Sequence, residues 1–191
     1  MSGTHSHDNR VEPPWTREVL HFWFDDVGAA RWFASSDQTD AQVRDRFLSL
    51  HELVVTREGL GVCTPRPLLA AVIVLDQFSR HLFRGSPRAF AADPIARRLS
   101  RAALAQSFDV GMTPQERMFL YLPFQHSEDR DDQALCVKLV GHLGNEDWLR
   151  YAVAHKEIID RFGRFPHRNA TLDRQSSRDE IAMLKGPMGS F

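Results

Sequence analysis

Cysteine is scarce in this chain: Cys63 and Cys136 are far apart and neither has a second cysteine nearby. That excludes a zinc knuckle and a disulfide framework, and it fits a reducing compartment. No apolar run approaches the ~20 residues that span a bilayer. The stretch from Met1 to Pro14 is polar and lacks the apolar core of a signal peptide, which argues against export. His5 and His7 belong to that polar tail. An excess of one charge is missing too, since 24 Lys and Arg against 25 Asp and Glu leave a formal net charge of -1. No global field attracts nucleic acid or a membrane surface, and neither is expected as a partner. A Gly-rich phosphate loop, a GxSxG elbow and the tight histidine spacing of HExxH sites are also absent. No metal or cofactor is therefore expected. A cytoplasmic protein is the default reading.

Period-two alternation is absent as well, and what replaces it is helical spacing. At 191 residues the chain is long enough to bury one core. We expect a flexible tail over residues 1–12 and a single helical domain over 13–191. Pro13-Pro14 precede a first helix carrying Val19, Leu20, Phe22, Trp23 and Phe24, with Thr16 as its expected cap and Gly28 as its end. Asp37 is the expected cap of an amphipathic helix with Val43, Phe47, Leu50 and Val54 on one side. Pro65 and Pro67 open a third helix whose residues Leu68 to Leu75 are apolar all round, which predicts the most buried helix of the fold.

Further on, Asp93-Pro94 begin a fourth helix, and Thr113-Pro114-Gln115-Glu116 is a capping box for a fifth that should stop near Pro123. Ser127 is the expected cap of a sixth, and Asn145 of a seventh that should close at Gly163. Ser177-Arg178-Asp179-Glu180 is a second capping box before a last short helix. The fold expected is all-α, built of about seven to nine antiparallel packed helices.

Three polar and aromatic clusters stand out. Asp76, Gln77, Arg80, His81 and Arg84 extend the buried third helix, and Asp76, Arg80 and Arg84 recur every four residues, on one expected face. Charges on a buried helix either pair with one another or face a cavity. His126, Ser127, Glu128 and Asp129 follow the fifth helix, with both carboxylates expected at the start of the sixth. Phe162-Gly163-Arg164-Phe165-Pro166-His167-Arg168-Asn169 forms a rigid turn, because Gly163 can close a helix and Pro166 holds Phe165 extended. His155 lies upstream of it. An imidazole near a carboxylate is the minimum for acid–base chemistry, so His126 and His167 are the candidate proton carriers and Asp76 and Glu128 their candidate partners. Gln77, Arg80, Arg84, His155, Arg164, Arg168 and Asn169 are the candidate ligand-binding residues, since guanidinium groups grip carboxylates or phosphates bidentately.

The stretches LDQFSRHLFRGSPRAFAAD, ER-FLYLPFQHSED and YA--H--II-RFGRFPHRN-TL-R resemble the bacterial domain-of-unknown-function family 924, and the resemblance covers nearly the whole chain. It implies an all-helical, tetratricopeptide-like superhelix and carries no assigned activity. The family's signature falls on Asp76, Gln77, Arg80, Arg84 and Gly85, on His126 to Asp129, on His155, and on Arg164 to Asn169. His81 stands where an asparagine is expected, and Cys63-Thr64-Pro65 lacks a tryptophan often found there.

Three readings follow. The clusters converge on a polar cavity that binds a small anionic molecule and supports catalysis; or stacked helices form a scaffold for a protein or peptide partner; or the clusters are buried ion pairs that only fix helix packing.

Overall fold

Proline sets the beginnings of the helices in this computed structural model, which describes residues 12–186. α1 (Pro14–His21), α3 (Pro65–Ile73), α5 (Asp93–Ala105) and α6 (Pro114–Gln125) each carry proline in the first turn. Its fixed φ suits a helix there and its missing N–H costs nothing. The other helices are α2 (Asp37–Thr56), α4 (Ser79–Leu82), α7 (Arg130–Gly141), α8 (Glu146–Phe162) and α9 (Arg178–Leu184). No strand occurs among the described residues, and the fold is all-α. The tail expected over residues 1–12 lies outside the described residues except for Glu12, which accepts a hydrogen bond from Arg66 at 3.1 Å. His5, His7 and the end from residue 187 lie outside them too.

α3 is the hub. Leu68 through Leu75 are all at most 1% exposed, and each leucine, isoleucine or valine buried this way contributes about 1.5–3 kcal/mol before entropy is counted. α1, α5 and α6 pack directly on α3, while α2 packs on its continuation. That continuation is a π-helical turn, Val74–Phe78, followed by α4. A π turn inserts an extra residue into the helical register, a feature frequent at functional sites. Here it lets one rod carry an all-apolar half and a polar half without a break. A second π turn, Phe22–Val27, follows α1 and ends at Gly28 with φ 69°. It drives Phe22 and Trp23 fully into the core, against Phe47, Phe78 and Phe119. The N-terminal aromatic residues thus pack mainly inside this chain.

Several caps differ from expectation. Pro13, not Thr16, occupies the cap of α1; the proline pair starts the helix early, and the Thr16 hydroxyl is buried without a partner. Ser36 rather than Asp37 caps α2, accepting from the Thr39 N–H at 3.2 Å. α6 runs through Pro123 to Gln125 because every residue from Met118 to Gln125 is buried, and that packing outweighs the lost hydrogen bond. Both capping boxes, at Thr113 and Ser177, form as expected, as do the Asn145 cap and the left-handed close of α8 at Gly163, φ 69°.

α6, α7 and α8 follow one another through short connections and pack in sequence. Beyond α8 the turn at 163–169 makes a small core of its own. Ile158, Ile159, Phe165 and Met183 bury one another, with Phe162 and Leu184 against them. This satellite core pins α9 and the turn to α8, and so fixes the side chains of the turn relative to the hub.

Candidate functional site

The polar half of the central rod meets α5, the end of α6 and the 163–169 turn. Asp76, on the π turn, is fully buried. His126 stands at the end of α6, where its backbone N–H donates to the Leu122 carbonyl at 2.9 Å. Its Nδ1 faces the Asp76 carboxylate at 2.8 and 3.0 Å. A carboxylate only accepts, so Nδ1 carries the hydrogen and Nε2 carries the lone pair. Gln77 Nε2 donates to Asp76 as well, at 2.6 Å. Burial pushes the Asp76 carboxyl up, but Arg80, His126 and Gln77 together hold it well below the usual carboxylate range. Burial lowers the His126 pKa against the pull of Asp76, so the imidazole is neutral near pH 7.

Arg80 links this pair to α5. Its guanidinium contacts the Asp76 carboxylate at 3.5 Å and grips Asp93 fork to fork at 3.1 and 3.2 Å. Burial and the nearby Asp76 raise the Asp93 pKa, while the paired guanidinium keeps the carboxylate form. Arg168 reaches the same carboxylate from the turn, at 3.6 Å. It lies between the rings of Phe90 and Phe165, at 4.7 and 4.6 Å from their centres.

The charge on Arg168 is poorly satisfied. The residue is 7% exposed, its Nε is buried without a partner, and no hydrogen bond from its guanidinium reaches any described residue. Burial first, and then Arg80, pull its pKa down to about 10.

Between these groups lies a cavity of about 200 Å³. His126, Arg168, Arg97, Asp93, Glu128 and Ser127 supply its polar wall, and Phe90, Pro94, Pro123 and Leu172 its apolar wall. Of the residues expected to form a site, the fold gathers Asp76, Gln77, Arg80, His126, Glu128 and Arg168 at or directly behind this cavity. His155 and His167 stand behind Phe165, with ring centres 5.5 and 5.4 Å from it. The His155 and His126 rings are 6.5 Å apart.

The others are bound elsewhere. Arg84 does not share a site with Asp76 and Arg80; it grips Asp40 of α2 bidentately at 2.9 Å, beside His81, whose Nδ1 donates to the same carboxylate at 2.6 Å. The π turn and the end of α4 break the straight four-residue row that the spacing implies. Arg164 pairs with Glu180 of α9 at 2.6 and 2.9 Å. Asn169 donates to Ser176 and accepts from Arg174, both at 3.0 Å, which closes the loop into α9.

Glu128 is not in the first turn of α7. Asp129 caps that helix, and Glu128 accepts from both Arg174 nitrogens at 2.8 and 2.9 Å and from the Phe165 N–H at 2.8 Å. Ser127, expected as the cap, donates instead to the buried Asp132 at 2.7 Å. Asp93 and Arg97 line the cavity and are absent from the expected set. Asp93 had a sufficient local explanation as the start of α5, and nothing in the pattern marks Arg97. Among the described residues no group of three or more histidine, cysteine, aspartate or glutamate side chains is placed to hold a metal ion.

The histidines behind Phe165 make stability depend on pH. Burial above all, and then the surrounding positive groups, lower His155 to about 3 and His167 to about 4. An unfolded imidazole titrates near 6.5, so the unfolded chain takes up protons that the folded chain refuses. Stability should therefore fall as pH drops from about 6.5 towards 4, before the carboxylates contribute. Urea midpoints measured from pH 7 to 4.5 check this, and the paired changes His155→Gln and His167→Gln should flatten the slope.

Fold and site together define an all-helical protein with a small, partly closed pocket where an Asp–His pair and a stacked arginine meet. Residues 19–188 match the family described as "Bacterial protein of unknown function (DUF924)", and the chain belongs to it. It is similar to a solved structure of a protein of unknown function, ATU0120, from Agrobacterium tumefaciens. The two share 35% identity with a TM-score of 0.85, over 90% of this chain and 98% of that one. No curated protein matches the chain. Among the described residues no helix is long and apolar enough to cross a membrane.

Proposed function

We propose that the cavity binds a small anion and that the His126–Asp76 pair exchanges a proton with it. The observation that carries this reading is Arg168. Removing a guanidinium from water costs several kcal/mol unless its N–H groups find acceptors, and here they meet two phenyl rings and one carboxylate oxygen at 3.6 Å. An arginine kept for packing alone would be expected to have its donors paired, as Arg174 and Arg164 do. An anion entering the cavity supplies the missing acceptor.

The proton chemistry follows from the tautomer. With Nδ1–H held by Asp76, the Nε2 lone pair of His126 serves as a general base, and Asp76 stabilises the imidazolium that forms. Arg80 holds both acids of the network in place. The reduced cysteines, exposed Cys63 and buried Cys136, fit a cytoplasmic setting for this chemistry.

The test is Arg168→Met, which keeps the stacked stem and removes the charge. Thermal melting should be unchanged or raised, because an unsatisfied buried charge is gone. Binding of small anions, measured by calorimetry, should be lost. A melting temperature lowered by ten degrees or more with anion binding intact would mean that Arg168 is a structural clamp. Native mass spectrometry of freshly purified protein tests the same reading from the ligand side.

The scaffold reading has one observation in its favour. An open groove of about 840 Å³ runs between α1 and the start of α6, with Phe24 and Trp32 in its wall. It suits an extended peptide better than a small molecule. Yet His21, Asp25, Arg66 and Glu116 in that wall already have protein partners, and none of the lining residues has a buried polar atom without a partner, as Arg168 has in the anion cavity. A tetratricopeptide-like use of the stacked helices belongs to this second reading.

A further inference from the structure

We propose that the anion held in this cavity is a short-chain monocarboxylate; the inference rests on the anion-site reading above. Size comes first. A cavity of about 200 Å³ holds the volume of six or seven waters at about 30 Å³ each. It falls below the ~300–1,000 Å³ typical of sites for drug-sized ligands. A nucleotide would extend well out of so small a cleft, whereas an acid of roughly five to seven heavy atoms fits within it.

Charge comes second. Around the cavity, Arg80, Arg97, Arg101, Arg168 and Arg174 meet Asp76, Asp93, Glu128 and Asp132 through contacts of 3.6 Å or less. With His126 neutral, this network carries one net positive charge. A monoanion brings it to zero. A dianion leaves an excess negative charge beside Asp93 and Glu128.

The donors and the walls agree. A flat guanidinium held between two rings presents its N–H groups in one plane, the arrangement that matches a planar carboxylate. No lysine lines the cavity, and its polar groups come from side chains rather than a Gly-rich phosphate loop. Phe90, Pro94, Pro123 and Leu172 then give a short alkyl chain an apolar surface within the same cavity.

The experiment is calorimetric titration of the full chain at pH 7 with acetate, propionate and butyrate, and with inorganic phosphate, sulfate and malonate for comparison. Butyrate should bind at least tenfold more tightly than any of the three dianion-forming compounds. Affinity should rise roughly fourfold per methylene from acetate to butyrate, as burial of a methylene in an apolar wall predicts. Arg168→Met should abolish all of this binding, and Leu172→Phe, which fills the apolar end, should weaken butyrate while sparing acetate. Phosphate or sulfate binding as tightly as butyrate, and lost in Arg168→Met, overturns the monocarboxylate assignment and leaves the anion site standing. No binding of any of the six, or equal binding to wild type and Arg168→Met, overturns the anion site itself.

Discussion

Asp76→Ala is expected to destabilise the protein by about 3–5 kcal/mol, the range for removing one partner from a buried charged network. The carboxylate is fully buried and receives hydrogen bonds from His126 and Gln77 and charge from Arg80. Its loss strands an imidazole N–H and an amide, and it leaves Arg80 with Asp93 and the main-chain carbonyl of residue 76. Urea unfolding at pH 7 should show a lower midpoint with an unchanged slope, the sign of a stability change without a change in compactness. Asp76→Asn should cost less, since the amide keeps the shape and one acceptor. The His126 imidazole should also lose its fixed tautomer, visible in its nitrogen chemical shifts. A loss below ~1 kcal/mol for Asp76→Ala would mean that water enters the network and that His126 is not held as described.

Phe165→Ala should be nearly as costly, at about 3–5 kcal/mol, the range for deleting a buried ring and leaving a cavity. Phe165 is fully buried at the centre of the satellite core. Its ring also carries one face of Arg168 and packs against His155 and His167, while its N–H is held by Glu128. The damage should be uneven. Hydrogen exchange should quicken through 163–184 while α3 stays protected, because the satellite core is separate from the main one. Anion affinity should fall in the same variant, since Arg168 loses the surface that orients it. Uniform loss of protection across α3 and α6 would show instead that the two cores unfold as one.

Both variants strike at features that differ in how far the sequence foretells them. Gly163, Pro166 and the extended Phe165 are legible because a turn is set by the φ preferences of its own residues. The stacking of Arg168 between Phe165 and Phe90 is not, since Phe90 belongs to another part of the chain. Asp76 is recognisable as a charge on a buried helix, which must have partners, but the spacing points to Arg80 and Arg84 alike. The fold keeps the first and assigns the second to Asp40. Asp93 goes unnoticed as a site residue because helix initiation already accounts for it.

The features legible in the chain alone are therefore local: where helices begin and end at Thr113, Asn145, Gly163 and Ser177, and that Leu68 to Leu75 form the hub. Each rests on interactions within about four residues or on an all-apolar surface with nowhere to go but inside. Which charge meets which depends on the packed fold. His126 meets Asp76 across 50 residues, Arg84 meets Asp40 across 44, and Arg174 meets Glu128 across 46. Charges attract any opposite partner with little regard to residue type, so their pairing waits on the packing of the apolar rods that carry them. That packing left one buried guanidinium, Arg168, without a hydrogen-bond acceptor among the described residues, and it turned that group toward a cavity.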